Sequence, residues 1–249
     1  MASNKISKFT LLKRRPDLTR DEYNNHWHTT HAHILASSPA FWRYTESYVQ
    51  NHVLPIPAAL AHGPEPPFDG IAKTYQKPRD DLVKDDFFND PSYLTVVRQD
   101  ELNFLSVYEC TTLYNIEHIV KDGPRSGVKY LSFLRRSEGL DHEQFLDYWI
   151  HQHAALVKIV KPFYSLVRRY VQHHGRLDLH RPMAGEGKPE TFDGVVELYF
   201  DSVDDLEKAY THPEYLAILR PDEARFIKGP SMRFVVEERP VNKANSGGS

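Results

Sequence analysis

The sequence repeats itself at a nearly constant offset. Leu18–Leu35 (LTRDEYNNHWHTTHAHIL) aligns with Leu140–Val157 (LDHEQFLDYWIHQHAALV), so that Tyr23 falls on Phe145, Trp27 on Trp149 and His31 on His153, each 122 residues apart. The same shift carries Tyr48-Val49-Gln50 onto Tyr170-Val171-Gln172 and His52 onto His174. Phe68-Asp69-Gly70 matches Phe192-Asp193-Gly194 at a shift of 124, so one connection of the second copy is two residues longer. The shift then returns to 122 for Pro91 and Pro213, Tyr93 and Tyr215, and Phe104 and Phe226. A register kept over most of the chain means duplication, and a duplicated unit can bury its apolar face against its own copy.

Each copy reads as strand, helix, strand, strand, helix, strand. The first strand is expected over 9–13 and again over 130–134, and the next helix starts at the N-cap residues Thr19 and Asp141. Tyr23, Trp27, His31 and Ile34 recur at helical spacing as one apolar stripe, repeated by Phe145, Trp149, His153 and Leu156. Second strands are expected over 44–53 and 166–174, and third strands over 70–75 and 194–200. Second helical regions follow at about 79–100 and 203–225, then final strands over 105–113 and 232–237. Two helices crossing one antiparallel sheet make the split βαβ, or ferredoxin-like, pattern. The fold class is therefore α+β: two ferredoxin-like repeats, residues 1–114 and 128–241, joined by a linker over 115–127 and closed into a dimeric α/β barrel with helices outside. The polar tail 242–249 is expected to be disordered. The long connections 54–67 and 175–191, rich in Pro and Gly, are candidate lids.

Charge and cysteine content exclude several functions. With 31 basic against 34 acidic side chains, the chain lacks the basic excess of a nucleic-acid binder. One cysteine, Cys110, permits no intrachain disulfide, and with no apolar N-terminal stretch or membrane-length apolar run a cytoplasmic protein is expected. The 14 His and 14 Tyr exceed what this length usually holds and point to acid–base chemistry on an aromatic ligand.

The ordered motifs KRRPxLTRDEYxxHWxxxHA, YVQNH, FDGIAxTY and DPSYL recur as LRRSEGLDHEQFLDYWIHQHA, YVQHH, FDGVVELYF and HPEYL. Over nearly the whole chain they resemble the EthD family of dimeric α/β barrel proteins. The resemblance implies an enzyme of ether, aromatic or polyketide-acid metabolism. Most relatives are thought to use neither metal nor organic cofactor, so none is expected here. The expected partner is a small aromatic substrate, with neither nucleic acid nor membrane, and the chain is either a monomeric pseudo-dimer or a homodimer.

Candidate catalytic residues are His31 and His153 on the helices, with Tyr48, His52, Tyr170 and His174 on the second strands. On those strands Tyr44, Glu46, Tyr48, Gln50 and His52 should share one face, as should Arg168, Tyr170, Gln172 and His174. Glu46, Gln50, Arg168 and Gln172, with Trp27 and Trp149, are candidate substrate contacts. Arg14 and Arg136, among the arginines Arg14, Arg15, Arg135 and Arg136 that end the first strands, are candidate carboxylate clamps. Asp69 and Asp193 read as turn formers. His26, His28, His31 and His33 do not form a metal set, because an α-helix would put His26 and His33 on one face and the other two elsewhere. The leading functional expectation is a cofactor-independent lyase, above all a decarboxylase of aromatic or polyketide-like acids. Dehydration or cyclisation, a cofactor-free oxygenase of hydroxylated aromatics and a non-catalytic binding protein are the alternatives. Because Glu46 faces Arg168 and His33 faces Ala155 in the alignment, one pocket should have specialised, and the fuller histidine set points to the first copy.

Overall fold

Thr19 and Asp141 start the long helix of each copy, in a computed structural model that describes residues 5–61, 66–82, 84–184 and 191–244. Each closes a reciprocal box. The Thr19 side chain accepts from the Glu22 amide while the Glu22 carboxylate accepts the Thr19 amide at 2.8 Å, and Asp141 and Gln144 do the same. The first long helix runs through Arg20–His26, Trp27–His31 and Ala32–Ala36; the second through His142–Asp147, Tyr148–His153 and Ala154–Ile159. Both middle segments are π-helical, with bonds spanning five residues instead of four. The wider turn keeps residues four apart in line. The buried stripes are thus Tyr23, Trp27, His31, Leu35 and Phe145, Trp149, His153, Val157. The expected stripe members Ile34 and Leu156 are only half-buried, because purely α winding was assumed.

Nine strands follow: β1 Ile6–Leu12, β2 Thr45–Leu54, β3 Gly70–Gln76, β4 Thr111–Lys121, β5 Val128–Leu134, β6 Arg169–Gly175, β7 Arg181–Pro182, β8 Gly194–Phe200 and β9 Met232–Val241. Their order is β1-β3-β2-β9-β5-β8-β6-β4, and β1 also pairs with β4, so the sheet closes into an antiparallel barrel with β7 appended to β4. Each repeat contributes a ferredoxin-like sheet. Its second strand pairs with the fourth strand of the other repeat: β2 with β9, and β6 with β4.

β4 lies later than the expected 105–113, and residues 115–121 of the expected linker are strand. Their polar character hid them; Asn115 and Glu117 are buried, and β4 takes Asn115–Lys121 along β6. The second helical region of the first copy is also shorter than expected. Only Tyr93–Val97 and Arg98–Glu101 continue as helix after a 3-10 turn at Phe87–Asn89. In the second copy helix spans Val203–Thr211, then Tyr215–Leu219 and Arg220–Phe226, the break falling at His212-Pro213.

Strand alternation sends one residue set into the barrel and the other toward the helices. Inside, Phe9, Leu11, Ile71, Leu131, Phe133 and Phe234 belong to one apolar cluster. Farther along, the interior is charged. Lys73 Nζ lies 2.6 Å and Lys129 Nζ 3.1 Å from Glu197 Oε2, and Lys129 also reaches Glu238 at 2.8 Å. Burial would raise the Glu197 carboxyl, but Lys129 and Lys73 overcome it and hold it well below the usual range. His173 Nδ1 sits 2.9 Å from Ser7 Oγ in the same interior. Lys73 and Glu197 are equivalent positions of the two repeats, displaced by the same 124 residues as Gly70 and Gly194.

Candidate active site

The outward set of strand residues faces the long helices, and there each repeat holds a pocket. In the first repeat Trp27 Nε1 donates to Tyr48 OH at 3.1 Å, and Gln50 Nε2 donates to the Trp27 carbonyl at 2.7 Å. The second repeat copies this with Trp149 to Tyr170 at 3.1 Å and Gln172 to the Trp149 carbonyl at 3.1 Å. The helix is thereby fixed to the sheet by its own indole and carbonyl. Gly70 and Gly194 allow the approach: a Cβ on Gly194 would stand 2.4 Å from the Trp149 ring, and one on Gly70 2.5 Å from that of Trp27.

The helix histidines meet carboxylates near the ends of the second helices. His31 Nδ1 is 2.8 Å from Asp100 Oδ2, and His153 Nδ1 is 2.8 Å from Asp222 Oδ2. An ionised aspartate only accepts, so Nδ1 carries a proton and Nε2 is the ring nitrogen turned away from the carboxylate. The other oxygen of Asp100 takes His26 at 2.8 Å, and that of Asp222 takes the Tyr148 hydroxyl at 2.5 Å. Burial would raise both aspartates; the hydrogen bonds from these partners reverse that and hold them below the ordinary value. His26 and His31 are five residues apart, the spacing a π turn aligns, so they converge on one carboxylate rather than facing apart as α geometry predicts.

The next residue in each copy is a glutamate, buried at Glu101 and half-buried at Glu223. Glu101 accepts from Tyr93 OH at 2.8 Å, and Glu223 from Tyr215 OH at 3.0 Å. Burial pushes Glu101 up to about 7, against the opposing pull of Arg98, and it raises Glu223 as well, with His153 opposing. A carboxyl whose proton burial makes harder to lose can serve as a proton donor.

These groups line two separate pockets. The first, with about 500 Å³ of empty space including its mouth, is bounded by Trp27, His31, Tyr48, Phe88, Glu101 and Met183 among others. The second, with about 480 Å³ of empty space again including its mouth, has Trp149, His153, Tyr170, Tyr210, Glu223 and Arg233 on its walls. Met183 comes from the connection of the opposite repeat, and Leu60 of the first repeat's connection is buried in the core of the second. Of the candidate lids, residues 62–65 and 185–190 lie outside the described residues.

Not every candidate residue reaches a pocket. His31, His153, Tyr48, Tyr170, Trp27 and Trp149 do. Gln50 and Gln172 are fully buried behind the tryptophans. His52 and His174 accompany them, with Nε2 at 3.1 Å from Gln50 and 3.0 Å from Gln172, and burial drives both imidazoles down to about 3. Glu46 is instead a bulged residue of β2, opposite no partner of β3, and its carboxylate pairs with Lys5 at 2.7 Å. The bulge also removes Tyr44, the last residue of the helix Pro39–Tyr44, from the expected shared face. Arg168 precedes β6 and pairs with Asp201. Arg14 and Arg136 are bound by Asp69 and Asp193, the former pair at 3.0 Å. Those aspartates therefore anchor the arginines rather than merely forming turns. His28 and His33 are exposed, and among the described residues no group of three or more His, Cys, Asp or Glu could hold a metal. Cys110 is buried, its thiol pushed up to about 12.

The acidic pairs Asp100-Glu101 and Asp222-Glu223 escaped the sequence reading. They repeat at the same 122-residue shift, but acidic neighbours on a helix ordinarily read as a solvated face.

Closed barrel, external helices and paired pockets define a dimeric α/β barrel folded from one chain. The EthD domain model matches it twice, over residues 15–107 and 137–230, and the chain belongs to the EthD family. No curated protein sequence matches it. Among solved structures, an anthrone oxidase-like protein is 12% identical with a TM-score of 0.62, each chain covered to 99%. A protein from Fusobacterium nucleatum named provisionally as a monooxygenase is 9% identical, with a TM-score of 0.52 over 98% of this chain and 96% of its own. Another so named, from Lactobacillus acidophilus, is 10% identical with a TM-score of 0.50 over 97% of both. These likenesses show the fold. Among the described residues no helix is long and apolar enough to cross a membrane.

Proposed function

We propose that the chain is a cofactor-independent lyase that decarboxylates a hydroxylated aromatic acid by proton transfer. The observation that carries this reading is the presence, in one aromatic-walled pocket, of an aspartate-oriented imidazole and a carboxyl whose proton burial makes harder to lose. The two groups suit opposite proton transfers. The His31 or His153 Nε2 accepts the phenolic proton and raises the electron density of the ring. Glu101 or Glu223 delivers a proton to the ring carbon that bears the carboxylate. The carbon–carbon bond then breaks, its electrons restore aromaticity, and carbon dioxide leaves. The imidazolium returns its proton to the phenolate, and the glutamate takes one from solvent. Net, the carboxylate and one proton become an arene and carbon dioxide. The anthrone oxidase-like relative makes oxygen consumption the outcome to test against.

Hydroxylated aromatic acids incubated with chelator, without oxygen, and followed by mass spectrometry should give a product lighter by carbon dioxide. His31→Ala or His153→Ala, whichever lies in the working pocket, should lower kcat by about 100-fold or more. Turnover that appears only in air, with oxygen uptake, overturns the lyase reading.

A further inference from the structure

The two pockets differ in the placing of their cation, Lys8 in the first and Arg233 in the second. Thr10 of β1 pairs with Thr112 of β4, and the equivalent Ser132 of β5 pairs with Arg233 of β9, so a threonine of the first repeat is an arginine in the second. Thr112 is fully buried, 3.3 Å from the Thr10 hydroxyl. Arg233 lines the second pocket, its Nε is buried without a hydrogen-bond partner, and no carboxylate forms an ion pair with it among the described residues.

The cations beside the first pocket already face carboxylates, although Arg98 Nη1 and Arg181 Nε are, like Arg233 Nε, buried without a hydrogen-bond partner. Lys8 and Arg181 share Asp86, at 3.6 and 2.9 Å, while Arg98 lies 3.6 Å from Glu101 and donates to the Met183 carbonyl at 2.8 Å. Arg233 also stands at a junction. An outer cavity with about 600 Å³ of empty space shares Glu223, Ile227, Ser231 and Arg233 with the inner pocket and adds Arg220. A ligand can therefore place an aromatic body against Trp149 and Phe226 and an anionic group at the mouth.

We propose that the second repeat holds an anion-selective site in which Arg233 binds the carboxylate or phenolate of an aromatic ligand. The half-buried guanidinium, whose Nε is buried without a hydrogen-bond partner, gives a planar acceptor a bidentate partner. A guanidinium that holds a carboxylate opposes its loss as carbon dioxide. The anion on Arg233 is therefore a substituent that stays, and the reacting carbon lies on the inner side of Glu223, toward His153. This assigns the substrate-binding pocket to the second repeat and, for the word substrate alone, rests on the acid–base reading above.

Calorimetric titration of the full chain with 3-hydroxy-2-naphthoate and with uncharged 2-naphthol separates the terms. The acid should bind more tightly than the naphthol. Arg233→Met should weaken the acid by roughly 10- to 100-fold, the range of a charged hydrogen bond, and leave the naphthol unchanged. Arg233→Lys should restore part of the loss, and circular dichroism reports whether each variant is folded. Equal binding of acid and naphthol, or acid binding unchanged in Arg233→Met, overturns the proposal. Charge-dependent binding of this monoacid, together with no product lighter by carbon dioxide anywhere in the screen of hydroxylated aromatic acids, supports the anion site while removing the lyase reading.

Discussion

Glu101 couples the pocket to the stability of the fold. Its carboxyl sits at about 7 instead of 4.5 because burial disfavours the charge, so the folded chain keeps a proton that the unfolded chain releases. The sign follows: the folded state loses stability as pH rises from about 4.5 through about 7. Glu101→Gln cannot ionise and should melt higher than the parent at pH 8, by about 3 kcal/mol, with the gap closing toward pH 4.5 in paired thermal melts. Gly194→Ala should act in the opposite direction at every pH. Its Cβ would run into the Trp149 ring, at a cost of about 1–3 kcal/mol, and near-ultraviolet circular dichroism should report the displaced indole. At this scale the sequence showed the histidines, tyrosines and tryptophans, because matched aromatic and titratable residues stand out in an alignment of the two halves. It did not show Asp100, Glu101 or Arg233, whose roles arise from burial, and burial of a charged residue has no periodic signature of its own.

Elements were legible where their winding is regular. β8 was read to its residue limits, and the capped starts of both long helices were read from Thr19 and Asp141. Two errors fall at irregular backbone: the π turn that moves the stripe from Ile34 to Leu35, and the bulge at Glu46 that breaks strand alternation; β4 was placed too early for another reason, the polar character of its buried residues. The connections carry information of another kind. Met183 is buried in the first repeat's core although the second repeat encodes it, and Leu60 crosses the other way. Met183→Ala should therefore destabilise the chain by about 2–5 kcal/mol in urea titration and also enlarge the first pocket, although it sits in a connection. A midpoint within error of the parent would show that this segment does not seal the first repeat.

At the scale of the whole molecule, the pseudo-twofold relation of the repeats is kept by the backbone and broken by charge. Lys73 and Glu197 occupy equivalent places on β3 and β8 and meet across the barrel at 2.6 Å. Lys73→Glu would restore sameness of sequence and set two carboxylates against each other in a water-poor interior. Even with Lys129 nearby, that change should lower the urea midpoint more than Lys73→Met does. A freely assembling dimer of one repeat would bring a residue near the axis against its own copy, lysine on lysine or glutamate on glutamate. Once the two copies had taken opposite signs there, neither could pair well with its own kind. The exchange of sign acts as a ratchet: halves made as separate chains would need each other, and mixing would favour the unlike pair.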